Sequence, residues 1–173
     1  MSTKIFLVAL LFACGAGNSF YGSDTPPVND VGIEYLGHVA VGVSDLTTAM
    51  HFYCDQLGLT EVFRINKPDG SVLLVYLRVN NNNFVELFPG AAKQTADSSN
   101  QTGLRHLGFI VKNLQETLHT LQKRGFTLPA DAFEQAAVVR ADGTYLSFMK
   151  DPDGNMVELS EFLPDSKEAK SRR

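Results

Sequence analysis

Residues 104–125, LRHLGFIVKNLQETLHTLQKRG, decide the fold, because this stretch combines the pattern of a strand with the pattern of a helix. The alternation of polar or small residues with apolar ones predicts a strand in which His106 and Gly108 share one face. The spacing of the leucines that follow predicts a helix that is capped by Asn113 and ends at Gly125. The stretch is therefore a strand–helix unit with clear signals at both ends.

The same unit occurs earlier in the chain, at residues 36–58, LGHVAVGVSDLTTAMHFYCDQLG. Placing His38 on His106 also places Asp45 on Asn113, the two residues that can cap the helices. A repeat of roughly 70 residues is longer than the unit of a solenoid and predicts two related half-domains.

Three further strands are predicted after each helix. In the first half-domain they cover residues 60–65, 71–79 and 83–88, and in the second they cover 136–140, 144–149 and 156–160. Two β-α-β-β-β units in one chain predict an α+β fold with mainly antiparallel strands. The predicted boundaries are 34–90 for module 1, 91–103 for a linker, 104–163 for module 2 and 164–173 for a disordered tail.

The beginning of the chain predicts export. Lys4 precedes an unbroken apolar run from Ile5 to Ala13, which is too short to span a bilayer and is typical of a signal peptide within residues 1–22. Cleavage before Cys14, as in a lipoprotein, is an alternative that would leave a lipid anchor. A polar linker at 23–33 follows, and we expect a periplasmic or secreted protein.

The composition is that of one globular domain. The 173 residues are 44% hydrophobic and carry a net charge of -4, which indicates no nucleic-acid partner. We also expect no membrane association unless Cys14 is lipidated.

Four polar residues recur at matching positions of the two modules. His38 and His106 lie on the first strand of each module, and Glu86 and Glu158 lie in the last strand of each. An ionised Glu in the middle of a strand needs a partner, and a divalent metal bound by imidazole and carboxylate would provide one. The alternative is that each residue is simply hydrogen-bonded or exposed to solvent.

The order of elements, the motifs GHVAVGVSDLTTAMHFYCDQLGL, LRHLGFIVKNLQETL and MKDPDGNMVELSE, and the His-Glu-His-Glu spacing resemble the vicinal oxygen chelate superfamily. That superfamily includes glyoxalase I, bleomycin-resistance proteins and extradiol dioxygenases. The resemblance covers about residues 34–162. It implies that the two modules pair so that their curled mixed sheets enclose one cavity with a metal.

The resemblance also implies a ligand set and a reaction. His38, Glu86, His106 and Glu158 match the family's metal ligands, and a full set of two His and two Glu is most similar to glyoxalase I. The implied cofactor is one divalent ion (Zn, Ni, Co, Mn or Fe), which acts as a Lewis acid. Glu158 matches the glutamate that moves a proton next to a carbonyl, and Glu86 is the opposing carboxylate.

Two departures from glyoxalase I bear on the substrate. Gly42 and Gly90 stand where glyoxalases have an Arg and an Asn for glutathione. The resemblance therefore predicts a lyase or isomerase whose substrate is another compound with adjacent oxygens. The candidates for binding it are Arg64, Tyr76, Arg78, Arg140 and Tyr145.

Two other functions fit the same residues. An iron-dependent extradiol-type dioxygenase would use His38, His106 and Glu158 and leave Glu86 without a role. A bleomycin-resistance-like protein would bind a small molecule between the sheets without catalysis. The sequence also leaves open whether the modules pair within one chain or exchange between two chains of a homodimer.

Overall fold

The computed structural model describes residues 31–92 and 102–172. By its internal contacts the chain divides into Met1–Glu34 and Tyr35–Arg173, and the described helices and strands lie in the second unit. None of these helices is long and apolar enough to cross a membrane. The predicted signal peptide, and most of the predicted linker at 91–103, fall outside the described residues.

The first module has the predicted order of elements. It consists of β1 (His38–Val43), α1 (Leu46–Met50) with a π-helical continuation (His51–Gln56), β2 (Thr60–Asn66), β3 (Val72–Arg78) and β4 (Phe84–Pro89). The four strands form one sheet in the order β1-β4-β3-β2, in which β1 runs parallel to β4 and the other pairs are antiparallel. This order makes β1 an edge strand beside the last strand of its module.

The start and the end of the first helix follow from local sequence. The Asp45 carboxylate accepts the Thr48 backbone N–H at 2.7 Å, which satisfies one free donor of the first turn. Hydrogen bonding from the Thr48 side chain, and then from its backbone N–H, lowers the pKa of Asp45. After the π-helical turns, Gly58 takes a φ of 83°, a conformation that favours glycine and ends the helix.

The second module repeats this plan with one strand fewer. It consists of β5 (Leu107–Ile110), α2 (Leu114–Lys123), α3 (Ala132–Gln135), β6 (Thr144–Lys150) and β7 (Met156–Phe162). The sheet order is β5-β7-β6, and β5 is again an edge strand parallel to the last strand. The Asn113 side chain caps α2 by accepting the Glu116 N–H at 2.9 Å, as predicted.

The predicted strand at 136–140 is wrong. A short helix, α3, forms immediately before it, and Ala132 and Ala136 are buried one helical turn apart. Val138 and Val139 are 57% and 48% exposed, so the apolar character that suggested a strand contributes no core contact. Arg140 only closes a tight turn, by donating its N–H to the Thr144 carbonyl at 2.8 Å.

The predicted disorder of the tail at 164–173 is also wrong for the residues that are described. Lys167–Ser171 form a helix, α4, and the buried Ser166 caps it by accepting the Ala169 N–H at 3.1 Å. The Arg172 guanidinium lies 4.9 Å from the centre of the Phe162 ring. The basic composition suggested a solvated segment, but the N-cap and this cation–π contact hold it against β7.

One hydrophobic core serves both modules. Each sheet buries only the face that lies under its helices, and the residues of both faces join in a single cluster. Its members include Val43, Phe52, Tyr53, Val75, Leu77, Val85, Leu87, Leu114, Leu118, Leu121, Met149, Val157 and Leu159. The opposite faces of the two sheets, which carry the predicted site residues, point away from this core.

A buried polar clamp joins the two modules beside the core. Tyr53 of the first module donates its hydroxyl to Asp151 of the second at 2.9 Å, and Asp153 accepts the Ser44 N–H at 3.0 Å. Asp151 also accepts the N–H groups of Asp153 and Asn155, so its charge is well satisfied. Burial and the charge of Asp151 raise the pKa of Tyr53, which keeps the phenol protonated and able to donate.

This clamp predicts the effect of removing a single hydroxyl. Tyr53→Phe should lower the free energy of unfolding by about 1–3 kcal/mol, because a buried hydrogen bond to a carboxylate is lost. Urea denaturation followed by circular dichroism measures the change. Tyr145→Phe is the matched control, since the Tyr145 hydroxyl bonds to no described residue. Equal losses in the two variants would contradict the clamp.

Candidate metal centre

The first His–Glu pair is assembled by the parallel pairing of β1 with β4. In this register Ala40 lies opposite Glu86, and His38, two residues before Ala40, points to the same face. His38 Nε2 and Glu86 Oε2 are 3.3 Å apart. The Glu86 side chain is 15% exposed and that of His38 is 48% exposed. The pair therefore combines a shielded carboxylate with an imidazole that solvent can reach.

The second pair repeats this arrangement. Gly108 lies opposite Glu158 in the parallel pairing of β5 with β7, and His106 immediately precedes β5. His106 Nε2 and Glu158 Oε2 are 3.2 Å apart. The other carboxylate oxygen of Glu158 accepts a hydrogen bond from the Ser160 hydroxyl. Ser160 therefore fixes the orientation of Glu158, a role that the sequence analysis did not assign.

Each pair has the spacing of two neighbouring ligands of one metal ion. Donors that each lie about 2.1 Å from a metal, at right angles, are separated by about 3 Å. The two nitrogen–oxygen distances match this value, and the donor types suit a divalent transition metal. Within residues 31–92 and 102–172, however, no group of three or more His, Cys, Asp or Glu is close enough to hold an ion. The chain thus presents two half-sites.

A cleft runs between the edge strands β1 and β5, and His38 lines one of its two cavities while His106 lines the other. One cavity of about 400 Å³ is lined by His38 and Val39 of β1 together with Gly108 and Ile110 of β5. A second cavity, of about 270 Å³, is lined by residues 39–42 together with residues 102–107. The start of β1 thus faces the end of β5, and the end of β1 faces the segment that leads into β5. The two edge strands oppose each other in antiparallel directions.

An aromatic ring accompanies each histidine. Tyr76 lies on β3 opposite Glu86 of β4, and Phe148 lies on β6 opposite Glu158 of β7. In each module the aromatic residue and the histidine thus lie on either side of the strand that carries the glutamate. The Tyr76 ring centre is 5.8 Å from that of His38, and the Phe148 ring centre is 5.8 Å from that of His106. The sequence contained a sign of this repeated aromatic residue, because Tyr76 and Phe148 each precede the Glu of their module by ten residues.

The predicted substrate-binding candidates divide into two groups. Tyr76 and Arg78, two residues apart on β3, share the face of the first half-site. Arg64 instead forms an ion pair with Glu61 at 2.6 Å and lines a cavity beside α1. The remaining two are also placed elsewhere, with Tyr145 against the core and Arg140 in the turn before β6.

The two glycines at the glutathione positions are fixed by the local structure. A Cβ added to Gly42 would lie 3.1 Å from the Ala91 Cβ, and the Ala91 N–H donates to the Val43 carbonyl at 3.2 Å. Gly90 has a φ of 89°, a conformation that favours glycine. A larger side chain at Gly42 would therefore displace the segment that follows β4.

The fold consists of two related modules, and each module carries one His–Glu pair beside its edge strand. The family model described as the Glyoxalase/Bleomycin resistance protein/Dioxygenase superfamily matches residues 35–159. The chain belongs to that superfamily.

Proteins with sequences similar to this chain are named for different activities. A probable lactoylglutathione lyase of Synechocystis is 25% identical over 128 residues, which cover 72% of this chain and 93% of that protein. The mitochondrial methylmalonyl-CoA epimerase of Mus musculus is 29% identical over 132 residues, 73% of this chain and 72% of its own length. The crystal structure of a glyoxalase family protein from Enterococcus faecalis superposes with a TM-score of 0.55 at 26% identity, covering 74% of this chain and 98% of that one.

The close approach at Gly42 predicts a difference between two glycines on equivalent strands. Gly42→Ala should lower the thermal midpoint of unfolding, because its methyl group meets Ala91, whereas Gly108→Ala should leave it unchanged or raise it. At Gly108 the nearest atom to an added Cβ is His106 Cδ2 at 4.0 Å, and replacing a strand glycine stabilises by roughly 0.5–1 kcal/mol. Calorimetry of the metal-free proteins measures both values. Equal shifts in both variants would contradict the packing at Gly42.

Proposed function

We propose that the protein is a metal-dependent lyase or isomerase that moves a proton next to a carbonyl group. The observation that carries this proposal is the repeated pair of a histidine nitrogen and a glutamate oxygen, at 3.3 Å in one module and 3.2 Å in the other. Membership of the superfamily and the lactoylglutathione lyases among the relatives support the reaction class.

His38, Glu86, His106 and Glu158 would hold one divalent ion in the cleft between β1 and β5. When bound, the ion supplies Lewis acidity that stabilises negative charge on the substrate oxygens. Since residues of the two edge strands line the same cavities, we propose that the four ligands come from one chain. Binding of one ion then requires the two half-sites to move closer together than they are in the structure. A homodimer in which modules of two chains share the ligands is the alternative.

Glu158 is the proposed base. Its Oε1 accepts from Ser160, and its Oε2 points toward the solvent-accessible His106, so the carboxylate has a fixed orientation at an open face. From this position it would take a proton from a carbon next to a carbonyl and return it to the adjacent carbon. Glu86, which has no equivalent of the Ser160 contact among the described residues, is the opposing carboxylate that can assist the return.

The proposed substrate is not a glutathione adduct. Gly42 and Gly90 lack the arginine and asparagine side chains that glyoxalases have for glutathione, and a side chain at position 42 would meet Ala91. Export, which we propose from the apolar run at residues 5–13, would also remove the protein from the main pool of glutathione. The substrate class therefore differs from that of lactoylglutathione lyase.

An iron dioxygenase is the second candidate, and the symmetry of the half-sites argues against it. Its triad would use His38, His106 and Glu158 and leave Glu86 unused. In the structure Glu86 is paired with His38 as closely as Glu158 is with His106. A role for all four residues therefore fits the geometry better.

Proton exchange tests the proposed function and does not require the product to be identified. In D₂O, the metal-loaded protein should replace a carbon-bound proton with deuterium in at least one compound of a small panel of 2-hydroxy aldehydes, 2-hydroxy ketones and acyl thioesters. Proton NMR measures the exchange. Exchange should stop in EDTA and fall by roughly 100-fold or more in Glu158→Gln, because general base catalysis contributes about that much.

Glu134→Gln, on the exposed side of α3, is the matched control and should exchange at the wild-type rate. Exchange that survives both EDTA and Glu158→Gln would overturn the proposal. Oxygen uptake on catechols by iron-loaded Glu86→Gln would replace it with the dioxygenase.

A further inference from the structure

Three aromatic rings cover the open face of the first sheet beside His38 and Glu86. Phe63 and Tyr76 stack with an interplanar angle of 12° and ring centres 4.8 Å apart. Tyr76 is also 5.0 Å from Phe84. We call Phe63, Tyr76 and Phe84 the aromatic platform. It continues into the first half-site, because the Tyr76 ring also approaches His38.

The platform is not part of the hydrophobic core. The core-facing residues of the same strands are Val75, Leu77, Val85 and Leu87, which alternate with the platform residues. Phe63 is 45% exposed, and Tyr76 and Phe84 are half-buried. Cross-strand aromatic pairs stabilise a sheet, and the parts of these rings that solvent reaches remain available to a ligand.

A cation lies at one end of the platform. Arg78 lies opposite Phe84 in the pairing of β3 with β4, and Phe84 lies opposite His38 in the pairing of β4 with β1. With strands about 4.8 Å apart, the Arg78 and His38 backbones are roughly 10 Å from each other. Arg78 is exposed and forms no ion pair with any described residue, whereas the guanidinium of Arg64 is engaged by Glu61.

We propose that the aromatic platform and Arg78 bind a flat aromatic carboxylate. Because Phe63 and Phe84 already lie against Tyr76, the ligand ring packs over the solvent-exposed parts of the three rings. Its carboxylate pairs with Arg78, on the side of the platform away from Glu86. The chemistry of the face supports this class, since the rings offer π surface and Arg78 offers the unpaired positive charge. If the bound aromatic carboxylate is the substrate, the inference rests on the proposed function. The binding itself does not require a metal.

The binding is tested with the metal-free full chain and three probes of defined chemistry. Calorimetric titration should show that 2-naphthoate binds more tightly than cyclohexanecarboxylate, which lacks the π face, and than 2-naphthylmethanol, which lacks the charge. Tyr76→Leu and Phe63→Leu should each weaken naphthoate binding roughly two- to ten-fold, because an aromatic contact with the ligand is lost. Tyr76→Phe should retain the affinity, since the ring remains.

The charge is tested separately. Arg78→Gln should weaken naphthoate binding roughly two- to five-fold and leave 2-naphthylmethanol unchanged, as expected for an exposed ion pair. Arg64→Gln is the matched control and should change neither. No binding of naphthoate, equal binding of cyclohexanecarboxylate, or an unchanged affinity in Tyr76→Leu and Phe63→Leu would overturn the proposal. Circular dichroism confirms that each variant is folded.

Failure of this inference and failure of the proposed function are distinguishable. If the metal-free chain binds naphthoate but no substrate shows metal-dependent exchange, the proposed enzyme activity is wrong and the proposed binding at the aromatic platform stands. Metal-dependent exchange without naphthoate binding would overturn the platform alone.

Discussion

One-sided burial of the two sheets is the constraint on which the site depends. Each module places its helix against the same face of its sheet, and the two buried faces merge into a single core. The other faces are then free to carry groups that a core would not tolerate. Glu86 and Glu158 occur in strands whose neighbouring residues, such as Val85 and Leu159, are fully or almost fully buried, yet both carboxylates point to the open side. Alternation along β4 and most of β7 places the core residues on one face of the sheet and the glutamates on the other.

The parallel pairing of the first and last strand in each module brings a histidine next to a glutamate on the open face. Because β1 lies beside β4, and β5 beside β7, a histidine and a glutamate that are about fifty residues apart in sequence become neighbours. The buried clamp of Tyr53 with Asp151 fixes one module against the other at the same time. The cleft between the edge strands is therefore built by contacts that lie behind it.

Much of this could be predicted from the sequence, because the signals were local and occurred twice. The alternation around His38 and His106, the caps at Asp45 and Asn113 and the end of the helix at Gly58 are confirmed. The strand predicted at 136–140 depended on the apolar character of Val138 and Val139. The sequence did not show that Ala132 would be buried, and this burial favours the short helix α3. The clamp was equally hidden, because the sequence explains Asp151 as a turn residue and gives no sign of a partner 98 positions away. The placement of the two half-sites relative to each other depends on tertiary geometry, which no periodicity of the sequence predicts.

The number of metal ions that each chain binds tests the central claim most directly, namely that the two His–Glu pairs act as one site. Native mass spectrometry of the full chain, stripped and then reloaded with Zn²⁺ or Ni²⁺, measures it. The account predicts one ion per chain, and predicts that His38→Ala and His106→Ala each lose it, because either half-site alone supplies only two ligands. Two ions per chain, or a single ion that persists in both variants, would contradict the account and make the two pairs independent features of the sheets.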